Sequence, residues 1–243
     1  MQSNQKVALI VGAGDAIGSA ITRQFAQAGL IVCAARRNAD RLEPLINELT
    51  ESGHSAHAFA CDARKEDAVI ELFAHIEANI GVIDVVIFNV GANVPMSIID
   101  TDSKKFYKIW EMACFSGFLV GREAARVMST RGTGTIIFTG ATASVRGGAG
   151  FAAFASAKHG LRALAQSMAR ELGPKNIHVA HIVIDAAVDT QWIRDNFADA
   201  EAMQQQDGIV APEDLAQNYV NLYKQPRNCW THELDVRPWS EKW

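Results

Sequence analysis

Six short runs of β-branched and apolar residues, each followed by a stretch of different periodicity, constrain this chain more than any other feature. The runs fall at 6–11, 30–35, 56–61, 83–89, 135–139 and 177–184, and helical patterns lie between them near 16–28, 39–52, 65–79, 103–129 and 151–172. Strands apolar at nearly every position, alternating with helices, predict a parallel sheet covered on both faces. Right-handed crossovers then give two βαβαβ halves that meet at a switch point, where a dinucleotide can lie across the strand ends. The fold class expected is α/β: a doubly wound parallel sheet in three layers, α/β/α.

No Pro/Ser linker, internal repeat or low-complexity tract interrupts the 243 residues, so a single domain over 1–243 is expected. The segment at about 187–210 breaks the alternation. It carries Trp192, Ile193, Phe197 and Met203 among polar residues and precedes the helix-start signal Ala211-Pro212-Glu213-Asp214. It reads as a substrate lid for an apolar or ring-bearing ligand, or equally as a surface helix with its apolar side packed down.

Composition excludes some functions. A net charge of −4 argues against non-specific nucleic-acid binding, which needs a basic face. No run of 18 apolar residues predicts a membrane span, and the polar start at 1–6 has no signal-peptide pattern. Cys33, Cys61, Cys114 and Cys229 form no CxxC pair, the usage of a reducing cytoplasm. His178 and His181 sit three apart in an expected strand and face opposite sides, so no metal site is expected.

The first strand runs into Gly12-Ala13-Gly14-Asp15-Ala16-Ile17-Gly18 and then a helix. Glycine here lets the backbone approach a pyrophosphate resting on the free N–H groups of the helix start. Tight strand-to-helix turns also want glycine for its own sake, so the surrounding βαβ unit carries the reading. The second strand ends in Ala34-Ala35-Arg36-Arg37, with no acidic residue until Asp40. An NAD site wants a carboxylate there, whereas a guanidinium matches a 2′-phosphate. NADP(H) is therefore expected over NAD(H); the alternative is two solvated loop arginines.

These residues resemble the short-chain dehydrogenase/reductase family, a Rossmann-type fold, over nearly the whole chain. On its T-G-x-x-x-G-x-G turn, Val11 stands at the Thr, Gly12 and Gly18 at the first and third glycines, and Ala16 at the second. Gly14 and Ile17 complete the turn. The resemblance implies that Asp62 meets the adenine, that Asn89 and Gly91 lie on the N-N-A-G segment, and that Thr190 contacts the nicotinamide amide, although Asp185-Ala186 replace the family's Pro-Gly. It also places the last strand in the run 230–239 and implies a homodimer or homotetramer through the helices at 103–129 and 151–172.

The family's proton chemistry is where the resemblance thins. Hydride arriving at a carbonyl leaves an alkoxide that must be protonated, for which the family uses Tyr, Lys, Ser and Asn. Lys158 holds the Lys position, but Phe154 stands at the Tyr, Ala141 at the Ser and Cys114 at the Asn. Spacing i, i+4 puts Phe154 and Lys158 on one helix face. Thr142, Ser144, Ser156, Cys114, His159 and Tyr107 are the candidate substitute acids, Thr142 and Ser144 first. Each has an ordinary reading as a cap, turn or helix-surface residue.

Three functions remain open on the sequence. One is an NADP(H)-dependent oxidoreductase acting on a conjugated or otherwise activated small apolar substrate, as family members that keep the Lys without the Tyr act on conjugated acyl chains. The others are a catalytically inactive dinucleotide-binding module, and a lyase or isomerase on the same fold.

Overall fold

The computed structural model describes residues 5–91 and 93–241; the start of the 1–6 segment lies outside them. The strands are β1 (Lys6–Val11), β2 (Ile31–Arg36), β3 (Ala56–Ala60), β4 (Val82–Phe88), β5 (Gly134–Thr139), β6 (Ile177–Ile184) and β7 (Glu233–Val236). They form one parallel sheet in the order β3-β2-β1-β4-β5-β6-β7. The chain winds outward from β1 in one direction and then from β4 in the other. The β1/β4 boundary is therefore the switch point, and the crevice outside their C-terminal ends is where such sheets hold ligands. The expected doubly wound α/β fold is the one found.

Side chains alternate along the strands and build a core on each face. Val7, Leu9 and Val11 pack with residues of α3 (Glu66–Asn79), α5 (Ser116–Arg131) and α6 (Ala152–Leu172), such as Phe73, Leu119 and Leu161. Ala8 and Ile10 face the other way, onto Ile21 and Phe25 of α1 (Ile17–Gln27) and Leu215 and Tyr219 of α9 (Pro212–Tyr223). β6 is buried at all eight positions, which is why its sequence reads as an unbroken apolar run around two histidines.

Three elements differ from the sequence pattern. The stretch 39–52 opens with a 3₁₀ turn, Ala39–Leu42, capped by Asn38, before α2 (Glu43–Glu51), which carries Pro44 in its first turn. The single helix expected at 103–129 is α4 (Ser103–Trp110), a π turn at Glu111–Phe115, and α5. The wider turn brings this helix very close to α6. A Cβ on Gly160 would lie 2.8 Å from Cys114 Sγ, and one on Gly117 2.5 Å from Leu161 Cδ1. The segment after β6 forms two short helices, α7 (Gln191–Asn196), capped by the Thr190 hydroxyl, and α8 (Ala200–Gln205). A bridge between Val188 and Val210 closes it at the base. No helix among the described residues is long and apolar enough to cross a membrane.

Tyr219 ties the helical layer to the site. Its ring is fully buried, and its hydroxyl lies 2.8 Å from that of Thr139, the last residue of β5. We expect Tyr219→Phe to cost about 1 kcal/mol, the worth of one buried hydrogen bond, and Tyr219→Ala about 3–5 kcal/mol through the cavity it leaves. Urea unfolding of the two variants checks this; similar losses would mean that the ring contributes nothing.

Candidate active site

The turn after β1 is clamped from both sides. Gly12 has φ +92°, and a Cβ there would meet Asn89 O at 2.4 Å, so neither the backbone nor the space admits another residue. The Gly12 N–H donates to Ala35 O of β2 at 2.9 Å, while Asn89 Nδ2 donates to Gly12 O at 3.1 Å from the end of β4. Gly14 faces open space, with nothing within 4 Å of its Cβ direction. Ile17 and Gly18 form the first turn of α1, where backbone N–H groups lack intrahelical partners, and no acidic residue occupies that turn. This is a cradle into which a pyrophosphate fits. Ala16, at the second-glycine position, is the N-cap and supplies no side-chain cap.

On the β2/β3 side the turn opens into a cleft of about 780 Å³ bordered by Arg36, Arg37, Arg41 and Asp62. Arg36 is not free there. Its Nη1 is 2.6 Å from Asp15 Oδ1, across the mouth of the turn. Arg37 and Arg41 are exposed. Asp62 takes both ends of the Arg64 guanidinium, at 2.8 and 2.6 Å, and that pairing holds its carboxyl below the usual carboxylate range.

On the β5/β6 side lies a second cleft of about 720 Å³, which shares Gly12, Gly14, Asn89 and Gly91 with the first. Lys158, 3 % exposed, sits at this junction. Its ammonium donates to Thr139 O at 2.8 Å and Val90 O at 3.3 Å. The Phe154 ring lies alongside, with its centroid 5.8 Å from Nζ. Burial pushes the Lys158 pKa down to about 8. Four residues further along α6, Arg162 grips Glu233 of β7 through two bonds of 2.6 Å. The buried His181 contacts the same carboxylate at 3.1 Å, and burial lowers its pKa to about 4, leaving it neutral.

The proton-donor candidates are scattered or engaged. Thr142 borders the second cleft, but its hydroxyl donates to Asp185 Oδ1 at 2.7 Å. Ser144 is fully buried and accepts from the Ala141 N–H. Ser156, His159 and Tyr107 are exposed, the first two bonded to carbonyls of their own helix. Cys114 is buried, and burial raises its thiol pKa. Phe154 and Ala141 do border the cleft, with Phe151 and Ala143. Thr190 borders it too, whereas Trp192 and Phe197 are exposed and meet each other edge to face.

A family model described as short chain dehydrogenase matches residues 6–201. The chain belongs to the short-chain dehydrogenase family. A crystal structure of a short-chain dehydrogenase from Rhodopseudomonas palustris is 47 % identical, covers 96 % of this chain and 99 % of that one, and superposes with a TM-score of 0.83. A metagenomic short-chain oxidoreductase solved in complex with NADP is 25 % identical at a TM-score of 0.83, covering 97 % of each chain. Farnesol dehydrogenase of Aedes aegypti is 26 % identical over 98 % of this chain and 97 % of its own.

For a short-chain dehydrogenase, one feature of this site stands apart, and the sequence reading gave it no role. Asp185, 1 % exposed, accepts from Thr142 and from Arg146 Nη2 at 2.9 Å, with Arg237 Nη1 at 3.5 Å. The partners lie 39–52 residues away in sequence, so only the anomaly of an acidic residue at the end of a buried strand pointed to it.

Lys158 makes stability depend on pH. Its folded pKa of about 8 is below the ordinary 10.5, so between those values the unfolded chain binds more protons and stability rises with pH. Relative to Lys158→Met, the wild type should gain up to about 3 kcal/mol from pH 8 to 10.5, at 1.36 kcal/mol per unit. Denaturation at several pH values checks it; parallel profiles would show that Lys158 has an ordinary pKa.

Proposed function

We propose that this chain is an NADP(H)-binding oxidoreductase of the divergent kind that keeps the family's lysine and has phenylalanine in place of its tyrosine. The observation that carries this is Lys158, buried where the two clefts join and facing the Phe154 ring. A charged amine withdrawn from water is costly, and the two carbonyls it meets leave its third N–H for a ligand. The NADP complex of the metagenomic relative supports the choice of ligand.

In this reading Gly12, Gly14, Ile17 and Gly18 receive the pyrophosphate, and Arg36 and Arg37 face the 2′-phosphate. Asp62, Asn89 and Gly91 border the adenosine side. Lys158 holds the nicotinamide ribose and Thr190 the carboxamide. The bound dinucleotide supplies or accepts a hydride; the protein positions it. Phe154 and Ala141 have no exchangeable proton, and the Thr142 hydroxyl is committed to Asp185. A positioned acid is worth ~10²–10⁴ in rate, so simple ketones are disfavoured. Alignment of donor and acceptor survives, and it can supply the larger share of catalysis. The substrates favoured are small, apolar and conjugated, their developing charge spread over the conjugated system and neutralised by a proton from water.

The same reading assigns α7 and α8 as a lid over the second cleft and the cell interior as its location, in keeping with four free cysteines. It also assigns a homodimer or homotetramer. Tyr107, Trp110, Phe115 and Phe118 form a chain of ring contacts along α4 and α5, with Tyr107 57 % and Phe118 39 % exposed.

Cofactor choice is read directly by titrating NADPH and NADH into the purified chain. NADPH should bind about tenfold tighter, and Arg36→Glu should reverse the order. Equal affinities would sink the NADP preference. The double variant Phe154→Tyr, Ala141→Ser should gain ketone reductase activity of about 10²-fold or more. No gain with NADPH bound would favour the inactive binding module.

A further inference from the structure

We infer that Arg146 is a specificity-determining residue that binds the carboxylate of an otherwise apolar substrate, in competition with the chain's own Glu241. This deepens the proposed function and rests on it for the placing of the substrate in the second cleft.

Among the described residues bordering that cleft, the charged side chains are Asp15, Arg146 and Lys158. Asp15 is paired with Arg36 at the dinucleotide turn, and Lys158 is assigned in the proposed function to the nicotinamide ribose. Arg146 is the charge left on the substrate side. The wall is otherwise mostly apolar, with Ala141, Ala143, Phe151, Phe154 and Val188, and its remaining polar side chains, Asn93, Thr142 and Thr190 among them, are uncharged. One cation in an apolar wall selects a ligand with one anionic end.

Arg146 is built to do this rather than left to solvent. Its backbone N–H donates to Thr142 O at 3.1 Å, which fixes the loop before Gly147-Gly148. Its Nη2 donates to Asp185 Oδ1 at 2.9 Å, and the Asp185 carboxylate is itself 1 % exposed and steadied by Thr142. A buried aspartate at the end of a core strand contributes little to stability unless it orients its partners. Its hydrogen bond uses one corner of the guanidinium, while the Arg146 side chain remains 41 % exposed. A guanidinium has five N–H donors, enough for a second carboxylate.

That second carboxylate is already represented. Glu241 Oε1 lies 3.7 Å from Arg146 Nη2. The tail that brings it there is fastened by the Trp239 indole N–H, which donates to Gln206 O beyond α8 at 3.1 Å. A substrate carboxylate replacing Glu241 exchanges one negative charge for another, so the local balance of Arg146, Arg237, Asp185 and Asp235 is unchanged. The tail thus stands in for the anionic end of the ligand and must give way to it.

The test titrates trans-2-octenoate and cinnamate against their methyl esters, with and without saturating NADPH, following binding by calorimetry and thermal shift. On the wild type the acids should bind about tenfold tighter than the esters, the worth of a charge-assisted bond. Arg146→Gln should abolish that preference, with the NADPH-induced Tm shift retained as proof of folding. Glu241→Gln should tighten acid binding about threefold, since an exposed competing pair is weak. Equal binding of acid and ester, no acid binding, or an acid preference kept by Arg146→Gln overturns the inference. If NADPH still stabilises the protein in those cases, the dinucleotide reading stands. An acid preference lost in Arg146→Gln, in a chain that ignores NADPH, supports the inference and removes that reading.

Discussion

An ammonium group withdrawn from water at the switch point of the sheet is the constraint around which the rest is arranged. Lys158 is held by the carbonyls of Thr139, the last residue of β5, and of Val90, two residues past the end of β4. Those two strand ends must therefore keep their spacing. Tyr219 fixes Thr139 from the opposite layer, and Asn89 fixes the end of β4 against Gly12. The Arg162–Glu233 pair anchors α6 one turn beyond the lysine. Removing a charge from water costs several kcal/mol even after relaxation, and the two carbonyl bonds offset part of that cost.

In the proposed reading, the departures from the family form a consistent set. Phe154 keeps the shape and the ring of a tyrosine beside Lys158 but cannot move a proton. Ala141 keeps the backbone of the loop after β5, with its N–H bonded to Ser144, and loses only the hydroxyl. Polar groups border the second cleft at Thr142 and Arg146, both bonded to the buried Asp185 behind them. The chemistry proposed on that basis is narrower than that of a complete tetrad: orientation without acid catalysis.

Much of this was legible in the sequence, for reasons that differ by element. β1, β4, β5 and β6 are buried on both sides, so almost every position must be apolar and the run announces itself. β7 has four half-buried or exposed residues and was placed by family resemblance alone. The π turn at Glu111–Phe115 has no local signature; it answers to the contact with α6. At the site, Gly12, Gly14, Gly18, Asn89, Gly91, Thr190 and Lys158 all border the second cleft. Partners across the fold were not legible. Sequence spacing cannot show that Arg36 pairs with Asp15 or that Asp185 collects Thr142 and Arg146, because ion pairs of long side chains are set by tertiary geometry.

A crystal structure of the chain soaked with NADPH addresses the central claim most directly. The account predicts a pyrophosphate lying over Gly14 and the start of α1, with Lys158 Nζ within about 3.2 Å of a nicotinamide-ribose hydroxyl and the nicotinamide beside Phe154. Clefts without nucleotide after a millimolar soak, or a nucleotide bound with Lys158 still turned wholly to its two carbonyls, would contradict it.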